Sequence, residues 1–154
     1  MQPGSNPLLS RLTHMDMSQP PRVNITRRLT FAAGHILAKP EWDEARNREV
    51  FGACSGDHGH NYELEVTVSG SVDTNTGMVI NLKDVDRIVR DLVIHDVDHH
   101  HLNRDVLWLQ GCLPTTENVA LAIWGRLDGR LSSARLERVR LKETENNVVE
   151  VERA

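Results

Sequence analysis

From Tyr62 to Val68 apolar and polar residues alternate without interruption. Tyr62, Leu64, Val66 and Val68 fall on one face and Glu63, Glu65 and Thr67 on the other, until Ser69 and Gly70 end the run. A period of two places alternate side chains on opposite faces, so this stretch predicts a half-buried strand. A less regular alternation through Val23, Ile25, Leu29 and Phe31, continuing over Ala32 and Ala33 to Gly34 and His35, predicts a strand before it, with a bulge. Residues 38 to 53 carry seven charges around Trp42, too many for a strand, and read as a long loop or a short helix. The period then changes. Val85, Ile88, Val89, Leu92 and Val93 recur at helical spacing after Asn81, a suitable N-cap, and predict a helix over about 83 to 95. Val119, Ala120, Ile123, Trp124 and Leu127 predict a second helix after Pro114 and Thr115, with Glu117 in its first turn and Gly129 ending it. Alternation returns in Leu136, Val139 and Leu141, a turn falls at Asn146 and Asn147, and Val148, Val149 and Val151 close a hairpin.

The order strand, strand, helix, helix, strand, strand, with short turns between neighbouring strands, predicts an α+β domain. One sheet with two helices on one face leaves its other face and its edges uncovered, which favours assembly of several copies edge to edge.

Composition narrows the function classes. A chain of 154 residues, 39% hydrophobic and 26% charged, suits one domain, taken as residues 22–154. Residues 1–21 contain Pro, Gly, Ser and Asn without periodicity and read as a disordered tail or a cloning remnant. A formal charge of −4 and 4% aromatic residues argue against a nucleic-acid partner, which needs a basic field and stacking platforms. No apolar stretch reaches the length of a signal peptide or a membrane span, and Cys54 and Cys112 do not make a disulfide framework, so a cytoplasmic protein without a membrane partner is expected.

Histidine changes the picture most. There are eight, and His58 and His60 stand two apart in a predicted extended segment, so both imidazoles point the same way with Gly59 leaving room between them. His35, at the end of the neighbouring strand, can supply a third nitrogen, leaving a tetrahedral metal one open position, as catalytic sites do. A solvated His-Gly-His turn is the plain alternative. Cys54 is either a fourth ligand in a closed structural site or a reactive thiolate beside the metal. The run His99 to His101 is read as a polar loop, although Asp98 is placed to orient an imidazole for proton transfer.

Taken in order, FAAGHIL (Phe31–Leu37), CSGDHGHNY (Cys54–Tyr62), TGMVINL (Thr76–Leu82), DHHHLN (Asp98–Asn103), PTTENVA (Pro114–Ala120) and KETENN (Lys142–Asn147) resemble the family of 6-pyruvoyltetrahydropterin and 6-carboxytetrahydropterin synthases, over about residues 22 to 152. The resemblance implies a tunnelling fold: a four-stranded antiparallel sheet in ββααββ order with two helices on one face, assembled as a homohexamer from two trimers with sites between subunits. It implies Zn2+ on His35, His58 and His60, Cys54 as the thiolate that removes a proton, and Asp98 with His99 as a second proton-transfer pair. Glu143 is implied as the pterin anchor, because two carboxylate oxygens match the two parallel N–H donors of the pterin edge. Thr115, Thr116 and Glu117 match the block that closes the pterin pocket, and the implied substrate is dihydroneopterin triphosphate. Lys39, Arg46, Arg48 and Lys142 lie near the motifs as cations for the triphosphate.

Two signals divide the family. Three residues separate Cys54 from His58, similar to bacterial 6-carboxytetrahydropterin synthases of the queuosine pathway, whereas VFGAC, HNY, TGMVINL and TTENVA are closer to the pyruvoyl enzymes. The spacing makes the carboxy product, with loss of acetaldehyde and triphosphate, the first expectation. The pyruvoyl product is the alternative, and a non-catalytic zinc or pterin-binding protein is a lesser one. Cys54 disfavours the forms that carry glutamate there.

Overall fold

The computed structural model describes residues 21–154. The expectation of a disordered tail therefore falls, but for its last residue, outside the described residues. Strand β1 (Val23–His35) and strand β2 (His58–Gly70) form the longest antiparallel pair, followed along the chain by β4 (Arg135–Thr144) and β5 (Asn147–Glu152). A two-residue strand β3 (His100–His101) runs parallel to β1 at Ala33 and Gly34, so the sheet has five strands in the order β3-β1-β2-β4-β5.

Four antiparallel strands were expected, and the fifth is the correction. Within DHHHLN the backbone of His99 donates to Ala32 O (2.6 Å) and that of Leu102 to Gly34 O (2.8 Å). Two histidines with no apolar periodicity give no strand signal, and tertiary pairing alone makes them extended. The expected bulge in β1 is absent: its ladder with β2 runs unbroken from Val23 opposite Gly70 to His35 opposite His58. Alternation looks imperfect only because Arg27 takes a position in the apolar row, where its guanidinium meets Asp86 of the first sheet-packed helix (2.7 and 2.9 Å).

Among the described residues three α-helices of eight residues or more form, one more than the sheet-packing pattern predicts. Helix α1 (Glu44–Phe51) lies in the charged segment read as loop or short helix. Asp43 caps it by accepting from Arg46 N, and buried Asn47 ties the preceding turn by accepting from Lys39 N and donating to Lys39 O. Helix α2 (Leu82–Val89), capped by Asn81, runs on through a π-helical turn at Arg90–Ile94 to His95–Val97. The wider turn keeps Val85, Val89, Val93, Ile94 and Val97 all buried. Helix α3 (Thr116–Leu127) begins at its cap Thr115, whose side chain accepts from Asn118 N.

The core lies between α2, α3 and one face of the sheet. Leu29, Phe31, Tyr62, Leu64, Val66, Val139 and Leu141 meet Val85, Val89, Val119, Ile123 and Leu127 in a single cluster. On the other sheet face Arg28, Glu63, Glu65, Arg138, Arg140 and Glu150 form cross-strand ion pairs. The sheet thus carries charge outward and hydrocarbon inward, and burying the apolar rows of β1 and β2 together sets the register that aligns His35 with His58.

Leu64→Ala, at a fully buried site, is expected to lower unfolding free energy by roughly 2–5 kcal/mol in urea titration. Leu107→Ser, at a residue 84% exposed, is expected to change it by less than about 0.5 kcal/mol.

Candidate metal centre and adjoining pocket

The register of β1 and β2 places His35 directly across from His58, and the period of two brings His60 to the same face. Their ring centroids lie 4.5 to 5.1 Å apart, and the three ligand nitrogens lie within 4.8 Å of one another. Backbone carbonyls fix two of the rings. His35 Nδ1 lies 2.8 Å from Pro114 O and His58 Nδ1 2.8 Å from Gly56 O, so each donates from Nδ1 and turns a lone pair on Nε2 toward the centre. The Nε2 atoms of His35, His58 and His60 are all buried and have no hydrogen-bond partner in the protein. Three buried acceptors aimed at one point without donors are costly unless a cation meets them, and three neutral imidazoles fit a zinc-like ion. Burial favours the neutral form: it lowers the pKa of His35 and of His60 from the usual imidazole value, with the Pro114 carbonyl partly opposing this at His35 and the Glu143 carboxylate at His60.

Gly59 makes the close pairing possible. A Cβ there would stand 2.9 Å from the carbonyl oxygen of Ala33 on the adjacent strand, a backbone atom that cannot turn aside.

Glu143 faces the same centre from β4, with Oε1 3.7 Å from His35 Nε2 and 3.8 Å from His60 Nε2. The β4–β5 ladder skips Glu143 between Lys142 and Thr144. Its carboxylate is held from both sides: Thr116 Oγ1 donates to Oε1 (2.9 Å) and Asn147 Nδ2 to Oε2 (3.3 Å). Glu143, Thr115, Thr116 and Glu117 join Cys54, Leu37 and Asn147 around a cavity of about 440 Å³. The structure therefore gathers the thiol, the carboxylate and the Thr115–Glu117 block around one cavity, and Glu143 joins that cavity to the three imidazoles. Cys54 is a free, half-buried thiol on the 3-10 turn Gly52–Ser55 and stands outside the three-nitrogen group.

Asp98 and His99 lie elsewhere on the chain's surface. Asp98 Oδ1 accepts from Ala32 N (2.9 Å) and lies 3.0 Å from His99 Nδ1. The Ala32 amide, and then His99, hold the Asp98 carboxyl below its usual range. His99 has a positive φ of 61° and a side chain 82% exposed, and it lines an outer cleft with His100, His101 and Asn61 rather than the cavity of Cys54. The Asp98–His99 pair is formed, and the cleft that His99 lines is shared with Gly59 and His60 but not with Cys54.

Of the cations named near the motifs, Lys39 and Arg46 stand over the Trp42 ring, Arg48 pairs with Glu44 and Lys142 pairs with Glu145 and Glu63. Periodicity did not find the carbonyls of Pro114 and Gly56, because every residue has one. Nor did it find Asn103, whose amide clamps the chain just past His35 by accepting from Ile36 N and donating to Ile36 O (both 2.9 Å). Among the described residues no helix is long and apolar enough to cross a membrane.

An α+β sheet with a three-imidazole group that could hold a metal, beside a cavity lined by a thiol and an anchored carboxylate, has the parts of a small-molecule enzyme site. The family model described as 6-pyruvoyl tetrahydropterin synthase matches residues 24–154. The 6-pyruvoyl tetrahydrobiopterin synthase of Drosophila melanogaster is 39% identical over 136 residues, covering 86% of this chain and 81% of its own. The structure of the Caenorhabditis elegans 6-pyruvoyl tetrahydropterin synthase superposes with a TM-score of 0.78 at 33% identity, over 87% of this chain and 97% of that one. A protein of Archaeoglobus fulgidus, named provisionally for 6-carboxy-5,6,7,8-tetrahydropterin synthesis, is 38% identical over 100 residues, 65% of this chain and 79% of its own. The chain belongs to the 6-pyruvoyl tetrahydropterin synthase family and is an enzyme of that lyase type.

Two measurements test this geometry. Gly59→Ala is expected to weaken zinc binding at least tenfold in a chelator competition, whereas Gly125→Ala, with open space around its Cβ in α3, is expected to leave binding unchanged. Because the folded pKa of His35 and His60 lies below the unfolded 6.5, the unfolded chain takes up protons first. Stability of the metal-free protein should therefore hold above about pH 6.5 and fall as pH drops through and below it. Thermal melts at stepped pH should show that loss, and His35→Gln should flatten it.

Proposed function

We propose that this protein is a zinc-dependent 6-pyruvoyltetrahydropterin synthase acting on dihydroneopterin triphosphate. The observation that carries the reading is Glu143, which lines one cavity with Cys54 and stands 3.7 and 3.8 Å from His35 and His60 of the three-imidazole group, in a chain 39% identical to a pyruvoyl-named relative over most of both lengths. The pyruvoyl product thereby takes precedence over the carboxy product, which Cys54–His58 spacing first favoured. That spacing remains the specific observation behind the second reading.

In this account His35, His58 and His60 hold the zinc ion. When bound, zinc supplies Lewis acidity to the substrate's side-chain oxygens. Glu143, steadied by Thr116 and Asn147, accepts the two N–H donors of the pterin edge and sets the ring's orientation. Cys54, as thiolate, removes a proton from a side-chain carbon. Asp98 keeps the His99 ring turned for the second proton transfer, and triphosphate departs with the electron pair of its C–O bond. Thr115 and Glu117 shape the helix end that closes the pocket.

His99 points outward from its own chain, which supports a site completed by a second copy. In this reading the assembly is a homohexamer, whose uncovered strand edges β3 and β5 allow sheets to continue between subunits.

Zinc-loaded protein given dihydroneopterin triphosphate is expected to release triphosphate and a 6-pyruvoyl pterin without acetaldehyde. Cys54→Ala should cut kcat by at least 10²-fold with zinc retained. Acetaldehyde with a 6-carboxy product would install the second reading, and no turnover by zinc-loaded protein would contradict both. Mixed Cys54→Ala and His99→Ala subunits, each inactive alone, should recover part of the activity after co-refolding. Failure to recover it in a confirmed mixed assembly would place both residues in one chain's site.

A further inference from the structure

The outer edge of β1 near its end needs hydrogen-bond partners, and β3, its neighbour there, is only two residues long. Backbone supplies part of them: His99 N donates to Ala32 O and Leu102 N to Gly34 O. Past Leu102 the chain turns away, with Arg104 N and Asp105 N both donating to His101 O (3.0 and 2.9 Å). At Ile36 a side chain takes over. Asn103 Oδ1 accepts from Ile36 N and Asn103 Nδ2 donates to Ile36 O, each at 2.9 Å. A carboxamide carries both the donor and the acceptor of a peptide group, so Asn103 continues the ladder one step beyond β3, which neither a carboxylate nor a hydrocarbon can do in full.

That step holds the joint between two parts of the site. Ile36 follows His35, whose Nε2 is one of the three buried, unpartnered imidazole nitrogens. It precedes Leu37, whose N–H donates to the carbonyl of Cys54 (2.9 Å) and which lines one cavity with Cys54 and Glu143. Three consecutive residues thus connect the imidazole group to the thiol turn, and Asn103 fixes the middle one. Rotation of the backbone at Ile36 would move the imidazole and the thiol relative to each other while the core stayed packed. A second tie reaches the other histidine strand: Asp57, just before His58, accepts from Arg104 (2.8 Å) and lies 3.2 Å from His101 Nε2. Asp57 and Arg104 are 54% and 58% exposed, so solvent screens this pair and its removal costs little. Asn103 is half-buried and satisfies main-chain groups, so its loss weighs more.

We propose that Asn103 is a positioning residue of the metal centre, its carboxamide holding the stretch His35–Leu37 so that the His35 imidazole and the Cys54 turn keep a fixed separation. It touches neither metal nor substrate. This rests on the three-imidazole zinc site of the proposed function and adds the part that keeps that site in step with the thiol.

The test uses the full-length protein loaded with zinc, or with cobalt(II), whose visible absorption reports the geometry of its ligands. Asn103→Ala is expected to weaken zinc binding about tenfold in chelator competition and to alter the cobalt spectrum. At saturating zinc, with dihydroneopterin triphosphate, kcat should fall more than KM rises. Asn103→Asp, which keeps an acceptor for Ile36 N, should recover part of both losses, and it carries the test if the alanine variant does not fold. Ile123→Val, a core change in α3, and Asp57→Ala should keep zinc affinity and cobalt spectrum close to wild type. Wild-type affinity and spectrum in a folded Asn103→Ala variant would overturn the inference and leave the three-imidazole site standing. An equal loss in Ile123→Val or Asp57→Ala would overturn it too, by placing the effect in general stability or in the surface ion pair. Wild-type protein that binds no zinc would overturn the site itself.

Discussion

The thirteen-residue antiparallel pairing of β1 with β2 is the constraint on which the rest depends. With side chains alternating, a slip of one residue would turn Leu64, Val66 and Val68 to the charged face and carry His58 and His60 to the wrong side of the sheet. One register therefore fixes both the core and the three-imidazole group. The apolar rows supply the energy that enforces it: each buried Val or Leu is worth on the order of 1.5–3 kcal/mol, far more than a surface ion pair. The histidines occupy the last turns of the ladder, where that energy has already determined direction, and Gly59 allows the backbones to approach there.

Around this pair the remaining elements bring one functional group each. The turn Gly52–Ser55 carries the thiol, the end of β4 carries the carboxylate, and the start of α3 carries the hydroxyl that steadies it. Pro114, just ahead of α3, offers its carbonyl to His35, so the helix start and the metal centre are tied by a buried hydrogen bond. Neutral imidazoles, fixed tautomers and a held carboxylate are all states that water would otherwise randomise. The fold removes that freedom before any ligand arrives.

Strands β1, β2, β4 and β5 and helices α2 and α3 were legible because each writes a period of 2 or 3.6 in its apolar residues. Helix α1 was ambiguous because it buries only Asn47 and has no apolar face, and β3 was invisible because two polar residues have no period. His58 and His60 could be read from spacing as one side of a ligand set, since the strand period puts them on one face, and the pairing of β1 with β2 adds His35. Roles for Cys54, Glu143 and Thr116 came from resemblance, and the geometry brings these residues together. The same geometry leaves His99 at a cleft that Cys54 does not line, a separation in space that periodicity along the sequence does not express.

The central claim is that three strand-end imidazoles, without the thiol, hold the metal. X-ray absorption fine structure at the zinc edge of the loaded protein measures this directly. Nitrogen and oxygen only, at about 2.0–2.1 Å, with imidazole scattering from three rings, are expected around the metal. A sulfur scatterer at about 2.3 Å would make Cys54 a ligand and the centre a closed structural site, contrary to the account.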